Sequence, residues 1–322
     1  MKSSHDKALQ CDKTPTICRA DNIHDNRCDN HTSPLFDTSA SAALSDELVR
    51  LAPPASARLS LNRCNLSTEA LSSLAFQLAP VPLELDGVLP LHRPLLDVLD
   101  TIQDRSERAR VFHAYMRAHF LLDDPRAQGL TPNARIDRSR LDYLRVLRGW
   151  LFDPDGREAA VLKGWVESRF GLLTEFHRGT IHHGPESSAR RARFERQRAA
   201  GLYATGALEA QIDLLYTYAQ YELARQHPGR SHIVLYRGLS GPGATRPLAT
   251  LANGSPVLQL NNLSSFSASR ERADEFGDRV LICAVPLAKV LAYASLLPGR
   301  MQGEDEYLVI GGVVHGNWAT PA

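Results

Sequence analysis

The chain of 322 residues lacks the motifs that announce the commonest chemistries. It has no Gly-x-Gly-x-x-Gly, no Gly-x4-Gly-Lys and no His-Glu-x-x-His, so a Rossmann dinucleotide site, P-loop phosphoryl transfer and zinc hydrolysis lose their usual support. An excess of charge is missing too. Lys and Arg number 37 against 36 Asp and Glu, which leaves no global field to recruit nucleic acid or an acidic membrane. Cysteine is sparse and odd in number: Cys11, Cys18, Cys28, Cys64 and Cys283 fit a reducing compartment. The spacings Cys11-x6-Cys18 and Cys18-x9-Cys28 match no familiar zinc module, and no metal is expected. No apolar run approaches a membrane span, and Met1-Lys-Ser-Ser-His-Asp6 lacks the apolar core of a signal peptide. These absences describe a soluble, cytoplasmic chain with no membrane span and no nucleic-acid partner.

What is present divides into three stretches. Residues 1–57 are rich in Asp, Asn, Ser, Thr and His and read as a disordered polar tail, with one helical turn around Leu44 to Leu51. Residues 58–229 read as mainly helical. Asp104-x-x-Glu107 has the form of a capping box, and Val111, Tyr115, Ala118 and Leu122 follow at helical spacing. Leu141, Leu144 and Leu147 form a second face, the Asp153-Pro-Asp-Gly156 turn follows, and Ala159, Leu162, Val166 and Phe170 form a third. Trp150 and Trp165 read as core aromatics. The basic run Arg190 to Arg198 lacks the alternating aromatics of a single-strand platform and reads as a solvated helix face or a dock for an acidic partner. Leu208, Ile212, Leu215, Ala219 and Leu223 complete the helices before Pro228-Gly229.

Residues 230–322 change period. Ile233 to Tyr236 is apolar on both faces, as an interior strand should be, and delivers Arg237-Gly238 at its end. Val257 to Leu260 reads as a short strand running into the polar stretch Asn261 to Ser267, and Ser269 as the N-cap of a helix to Phe276. Val280 to Val285 and Val309-Ile310 read as further strands. In Glu304-Asp305-Glu306, alternation along a strand would put Glu304 and Glu306 on one face. Two carboxylates there repel each other, which folding does not require; a reaction that develops positive charge on a sugar carbon can use them. Singly, each feature has an ordinary explanation: a turn, a polar loop, a core ring, a solvated strand end.

Their order carries more. Tyr236-Arg237-Gly238, Ser265-Phe266-Ser267 and Glu304-Asp305-Glu306 resemble the arginine, serine and glutamate motifs of mono-ADP-ribosyltransferases. Leu83-Glu-Leu-Asp-Gly87, Leu144 to Trp150, Val161 to Gly171, Leu260 to Ser267, Arg272 to Asp278 and Gly303 to Gly312 resemble the dinitrogenase reductase ADP-ribosyltransferases of nitrogen-fixing bacteria, from about residue 58 onward. The resemblance implies an α+β fold: a helical N-terminal half packed on a strand-rich ADP-ribosyltransferase-like half, with two small antiparallel sheets around an NAD cleft. It implies an enzyme that uses NAD as ADP-ribose donor and dinitrogenase reductase as partner, modifying an arginine and reversibly switching off nitrogen fixation, under control by a PII signalling protein. Glu306 and Glu304 would be catalytic, the first offsetting charge on the ribose and the second orienting the acceptor guanidinium. Arg237, Gly238, Ser265, Phe266 and Ser267 would bind NAD: Arg237 at the pyrophosphate or adjacent ribose, Gly238 by backbone approach to the carboxamide, Phe266 by stacking on nicotinamide. The family elsewhere has Ser-Thr-Ser where this chain has Ser-Phe-Ser, which leaves each serine's role open. The rival readings are an NAD glycohydrolase and a binding module with a degenerate site.

Overall fold

The computed structural model describes residues 45–124, 141–181, 186–203, 205–240, 245–299 and 305–319, so Glu304, and with it the Cys11, Cys18 and Cys28 of the tail, lies outside the described residues. Among the described residues six helices of two or more turns come first: α1 (Arg93–Asp100), α2 (Arg105–His119), α3 (Tyr143–Phe152), α4 (Arg157–Phe170), α5 (Ser187–Leu202) and α6 (Ala207–Gln226). Strands follow as β1 (His232–Leu239), β2 (Thr245–Thr250), β3 (Pro256–Ser267), β4 (Arg279–Pro286), β5 (Val290–Tyr293), β6 (Glu306–His315) and β7 (Asn317–Trp318), with a short α7 (Arg270–Asp274) between β3 and β4. The α+β class is as expected, and helix gives way to strand close to residue 230.

Local rules account for many helix ends. The Asp104 side chain accepts from the Glu107 amide at 2.7 Å and starts α2, Asp142 accepts from Leu144 at 2.8 Å ahead of α3, and Ser269 accepts from Arg272 at 3.2 Å at α7. The buried face of α2 differs from the one its apolar spacing suggests. Arg108, Ala109, Phe112, His113 and Met116 face inward, while Ala118 is exposed. Partners explain the shift: Arg108 meets the buried Glu222 of α6, and His113 Nδ1 lies 3.0 Å from the Tyr143 hydroxyl.

All strands pair antiparallel in the order β5-β6-β3-β1-β4-β7, with β2 also on β3. The two small sheets of the expectation are therefore one seven-stranded sheet. Its halves nevertheless meet at a single register pair, Tyr236 opposite Ser267. On the same edge of β3, β2 pairs with Pro256 to Leu260 and β1 with Ser267 alone, so the two strands hold opposite ends of it. A second correction concerns β3, which runs unbroken through the polar stretch read as a loop and is buried everywhere except Ser265. A register shift falls at Asn261 and Asn262, whose amides find partners across the layer. Asn261 Oδ1 accepts from the amides of Glu175 and Phe176 at 3.0 and 3.2 Å, and Asn262 Nδ2 donates to the carbonyls of Lys163 and Leu172 at 2.8 and 3.2 Å.

One apolar core runs from the helices into the sheet, with Trp165, Tyr143, Tyr216 and Phe112 fully buried. α6 is pinned to β5 by Gln220, which donates to the Leu287 and Val290 carbonyls at 3.1 and 2.7 Å. Residues 45–57, assigned to the tail from composition, dock on this body. Ser45 caps the one-turn helix Asp46–Val49, Leu51 accepts from the Leu74 amide at 2.8 Å, and Ala57 is buried. Among the described residues no helix is long and apolar enough to cross a membrane.

Candidate active site

The seam between the sheet halves gathers the motifs. Ser267 stands directly opposite Glu306 in the β3–β6 ladder and opposite Tyr236 in its one contact with β1. Cross-strand partners share a face, and so do residues two apart, so Ser265, Ser267 and Glu306 lie on one face of the sheet. From the helical layer, α3 brings Trp150 onto that face. Its indole Nε1 donates to Ser265 Oγ at 3.0 Å and to Glu306 Oε1 at 3.1 Å, so one N–H is shared between the serine and the glutamate. Helical spacing fixes this placement: Tyr143, Val146, Leu147 and Trp150 form the buried stripe of α3, and the indole lies at its end, 2% exposed.

Arg237 follows the lone register residue of β1, where β1 and β3 diverge. Its Nη1 donates to the Ser265 carbonyl, and its guanidinium lies over the Phe266 ring at 5.8 Å. Phe266 itself is 2% exposed and belongs to the core, so it carries the arginine from below and does not present an open face for stacking. Burial pulls the guanidinium down to about 10, and the neighbouring Glu306 carboxylate acts in the opposite direction. Arg237 Nε is buried and finds no acceptor among the described residues. The fork thus keeps donor capacity that a planar oxyanion could take up.

The remaining positions divide. Ser267 Oγ accepts from the Ser269 amide at 3.0 Å and shapes the turn into α7. Gly238 is fixed by packing: a Cβ there would stand 2.1 Å from the Ala273 carbonyl oxygen. Ahead of Glu306, Asp305 is left-handed at φ 52° and β6 begins only at Glu306. Glu304 lies outside the described residues. The basic run Arg190 to Arg198 is largely engaged within the molecule. Arg191 forks onto Glu167 at 2.7 and 2.9 Å, Arg198 reaches Glu209 at 3.2 Å and Arg190 reaches Glu186 at 2.7 Å, which leaves Arg193 and Arg196 exposed.

A serine and a glutamate thus stand on adjacent strands, with an arginine where β1 and β3 part. Comparison with known proteins decides the family. Residues 61–317 match the family model for dinitrogenase reductase ADP-ribosyltransferase (DRAT). The chain is also 37% identical over 257 residues to the NAD(+)--dinitrogen-reductase ADP-D-ribosyltransferase of Rhodospirillum rubrum, covering 79% of this chain and 92% of that protein. The chain belongs to the DRAT family. No solved structure matches it. Within this DRAT chain the residue that sequence reasoning missed is Trp150. Its stripe marked it as core, which it is; the two acceptors at the end of its ring come from residues 115 and 156 positions away. The signal within reach was its place in Leu144 to Trp150, one of the segments that carried the family resemblance.

Proposed function

We propose that this chain is an NAD-dependent mono-ADP-ribosyltransferase that modifies an arginine of dinitrogenase reductase and so switches nitrogen fixation off reversibly. The observation that supports it most is the shared indole N–H that holds the Glu306 carboxylate against Ser265 beside Arg237. Transfer breaks the bond between the anomeric carbon of the ribose and the nicotinamide nitrogen. Nicotinamide leaves with the electron pair, the sugar carbon becomes oxocarbenium-like, and an acceptor nitrogen donates its lone pair and then loses a proton. A fixed carboxylate beneath the sugar offsets the charge that grows in this step. Glu306 takes this role, oriented by Trp150, so that little of it has to reorganise as the bond breaks. Arg237 grips the pyrophosphate or adjacent ribose, and the Ser265 hydroxyl, already an acceptor from Trp150, has a proton to give to a ribose oxygen. An acceptor guanidinium is normally protonated, so a nearby base must favour its nucleophilic form. Glu304 is the candidate for that base. The reading places the protein in the cytoplasm with its NAD supply, and the exposed Arg193 and Arg196 are the candidate contacts for control by a PII signalling protein.

Purified protein, NAD and dinitrogenase reductase are the test, read by mass spectrometry. One ADP-ribose on an arginine of the reductase is expected, with slow nicotinamide release when the reductase is omitted; fast release without acceptor would make the protein a glycohydrolase instead. Glu306→Gln is expected to lower transfer by at least about 100-fold while NAD still binds. Unchanged transfer would remove Glu306 from the mechanism.

A further inference from the structure

Behind Trp150 lies a buried polar cluster for which the reaction as described has no use. Lys163 of α4 is 3% exposed, yet its ammonium has three N–H groups and three acceptors: Asp155 Oδ1 at 2.8 Å, the Phe176 carbonyl at 3.2 Å and His177 Nδ1 at 3.4 Å. The far nitrogen of His177 lies 2.7 Å from Gln197 Oε1, which fits a neutral ring donating from Nε2 and offering its Nδ1 lone pair to the lysine. Asp155 belongs to the turn that ends α3, and Arg178 closes that turn through the Asp155 carbonyl at 3.0 Å and the Asp153 carboxylate at 2.9 Å. A lysine here is costly. Burial weakens its hold on the proton, Asp155 and Asp153 strengthen it, and the like charge of Arg237 weakens it again. An apolar side chain of similar length would fill the space with less desolvation, so fold stability is a poor reason for the cluster.

Geometry supplies a better one. Lys163 Nζ stands over the face of the Trp150 ring, 5.7 Å from its centroid, and the N–H of that same ring is the one shared by Ser265 and Glu306. We propose that Lys163 is a positioning residue for Glu306, acting through Trp150: its charge on the indole face draws electron density from the ring and strengthens the N–H as a donor to the carboxylate. A cation on the face and an anion at the edge complement the ring quadrupole from both directions, and each contact reinforces the other. Asp155 and His177 hold the ammonium in register with the ring. The proposal rests on Glu306 as the carboxylate beneath the ribose, but it makes a claim about the indole that can be tested without the reaction.

Two variants and two readouts test it. Lys163→Gln keeps hydrogen-bonding groups and removes the charge; Lys163→Met removes both. In protein carrying 15N-labelled tryptophan, the Trp150 indole N–H resonance, identified by its loss in Trp150→Phe, is expected to move upfield in both variants. Those of Trp165 and Trp318 are expected to stay in place, which also reports that the fold is intact. Turnover of the reductase is expected to fall roughly 3- to 30-fold, the range of a desolvated cation–π contact, with KM for NAD changed less than about twofold. An unmoved Trp150 resonance in Lys163→Gln overturns the coupling even if turnover falls, and a response confined to Lys163→Met makes the lysine a packing residue. Loss of transfer in Lys163→Gln by a rise in KM alone overturns the assignment to positioning. Should Glu306→Gln prove fully active, the reading of the reaction fails, while the indole shift still decides whether lysine and tryptophan are coupled.

Discussion

Arg237 spends one arm of a planar fork on the Ser265 carbonyl and keeps its Nε without an acceptor among the described residues, a geometry that the flexible single ammonium of a lysine does not reproduce. Arg237→Lys keeps the charge, loses the fork, and is expected to raise KM for NAD about tenfold, equivalent to about 1.4 kcal/mol, in steady-state kinetics with saturating reductase. An unchanged KM would place the anion elsewhere. Gly238 makes a different demand. Its missing Cβ leaves room for the Ala273 carbonyl, so Gly238→Ala pushes α7 off β1 and is expected to destabilise by roughly 1–3 kcal/mol, visible as a lowered urea midpoint. Its role in the fold could not be read beforehand, since an Arg-Gly at a strand end looks like any turn. The candidates Glu306, Ser265 and Arg237 could be picked out because motif order survives in one dimension, and the fold brings them together. Trp150 and Lys163 were not, because a helix stripe says which way a side chain points and nothing of what waits at its tip.

Between elements, the clearest device is the pairing of α2 with α6. Arg108 forks onto Glu222 at 2.6 and 2.8 Å, with the two residues 4% and 0% exposed, and spends its remaining nitrogen on the Ile102 and Gln103 carbonyls at 3.0 and 2.7 Å. Removing one partner leaves a buried charge uncompensated, so Glu222→Ala is expected to cost about 3–5 kcal/mol in denaturant unfolding. Replacing both, as Arg108→Met with Glu222→Leu, is expected to recover most of that; a double variant as unstable as the single one would show that the pair itself, and not the orphaned charge, sets the stability. The same pair explains why the wrong face of α2 looked buried from sequence. Periodicity counts apolar residues, and here an arginine and a histidine lie inside because their partners do. β3 misled in the same way: Asn261, Asn262 and Ser264 read as loop, yet the layer formed by α4 and residues 172–176 supplies the partners that let asparagines sit in a buried strand.

For the whole molecule, the helical first part, the strand-rich second and the change of period near residue 230 follow from apolar spacing, whereas the single-pair seam joins strands whose pairing has no local signature. Stability against pH is likewise a property of the ensemble of buried groups. His92, His177, His227 and His315, on four different parts of the chain, all hold their proton less tightly than usual. Burial is the first cause in each, with His119 adding to the effect at His92, Lys163 at His177 and Arg230 at His227. Unfolded, each returns to about 6.5, so as pH falls the unfolded chain takes up protons before the folded one does. Their contribution is complete above about pH 6.5 and is lost as pH drops through the lower folded values. Glu107, Asp123 and Glu271, held below the ordinary carboxylate range by their hydrogen-bond partners, act only in stronger acid. The melting temperature is therefore expected to decline from about pH 6.5 downward, and calorimetry at pH 6 in buffers of different ionisation enthalpy should register proton uptake on unfolding. Proton release there, or a melting temperature that rises toward pH 5.5, would mean that these imidazoles enter the fold charged.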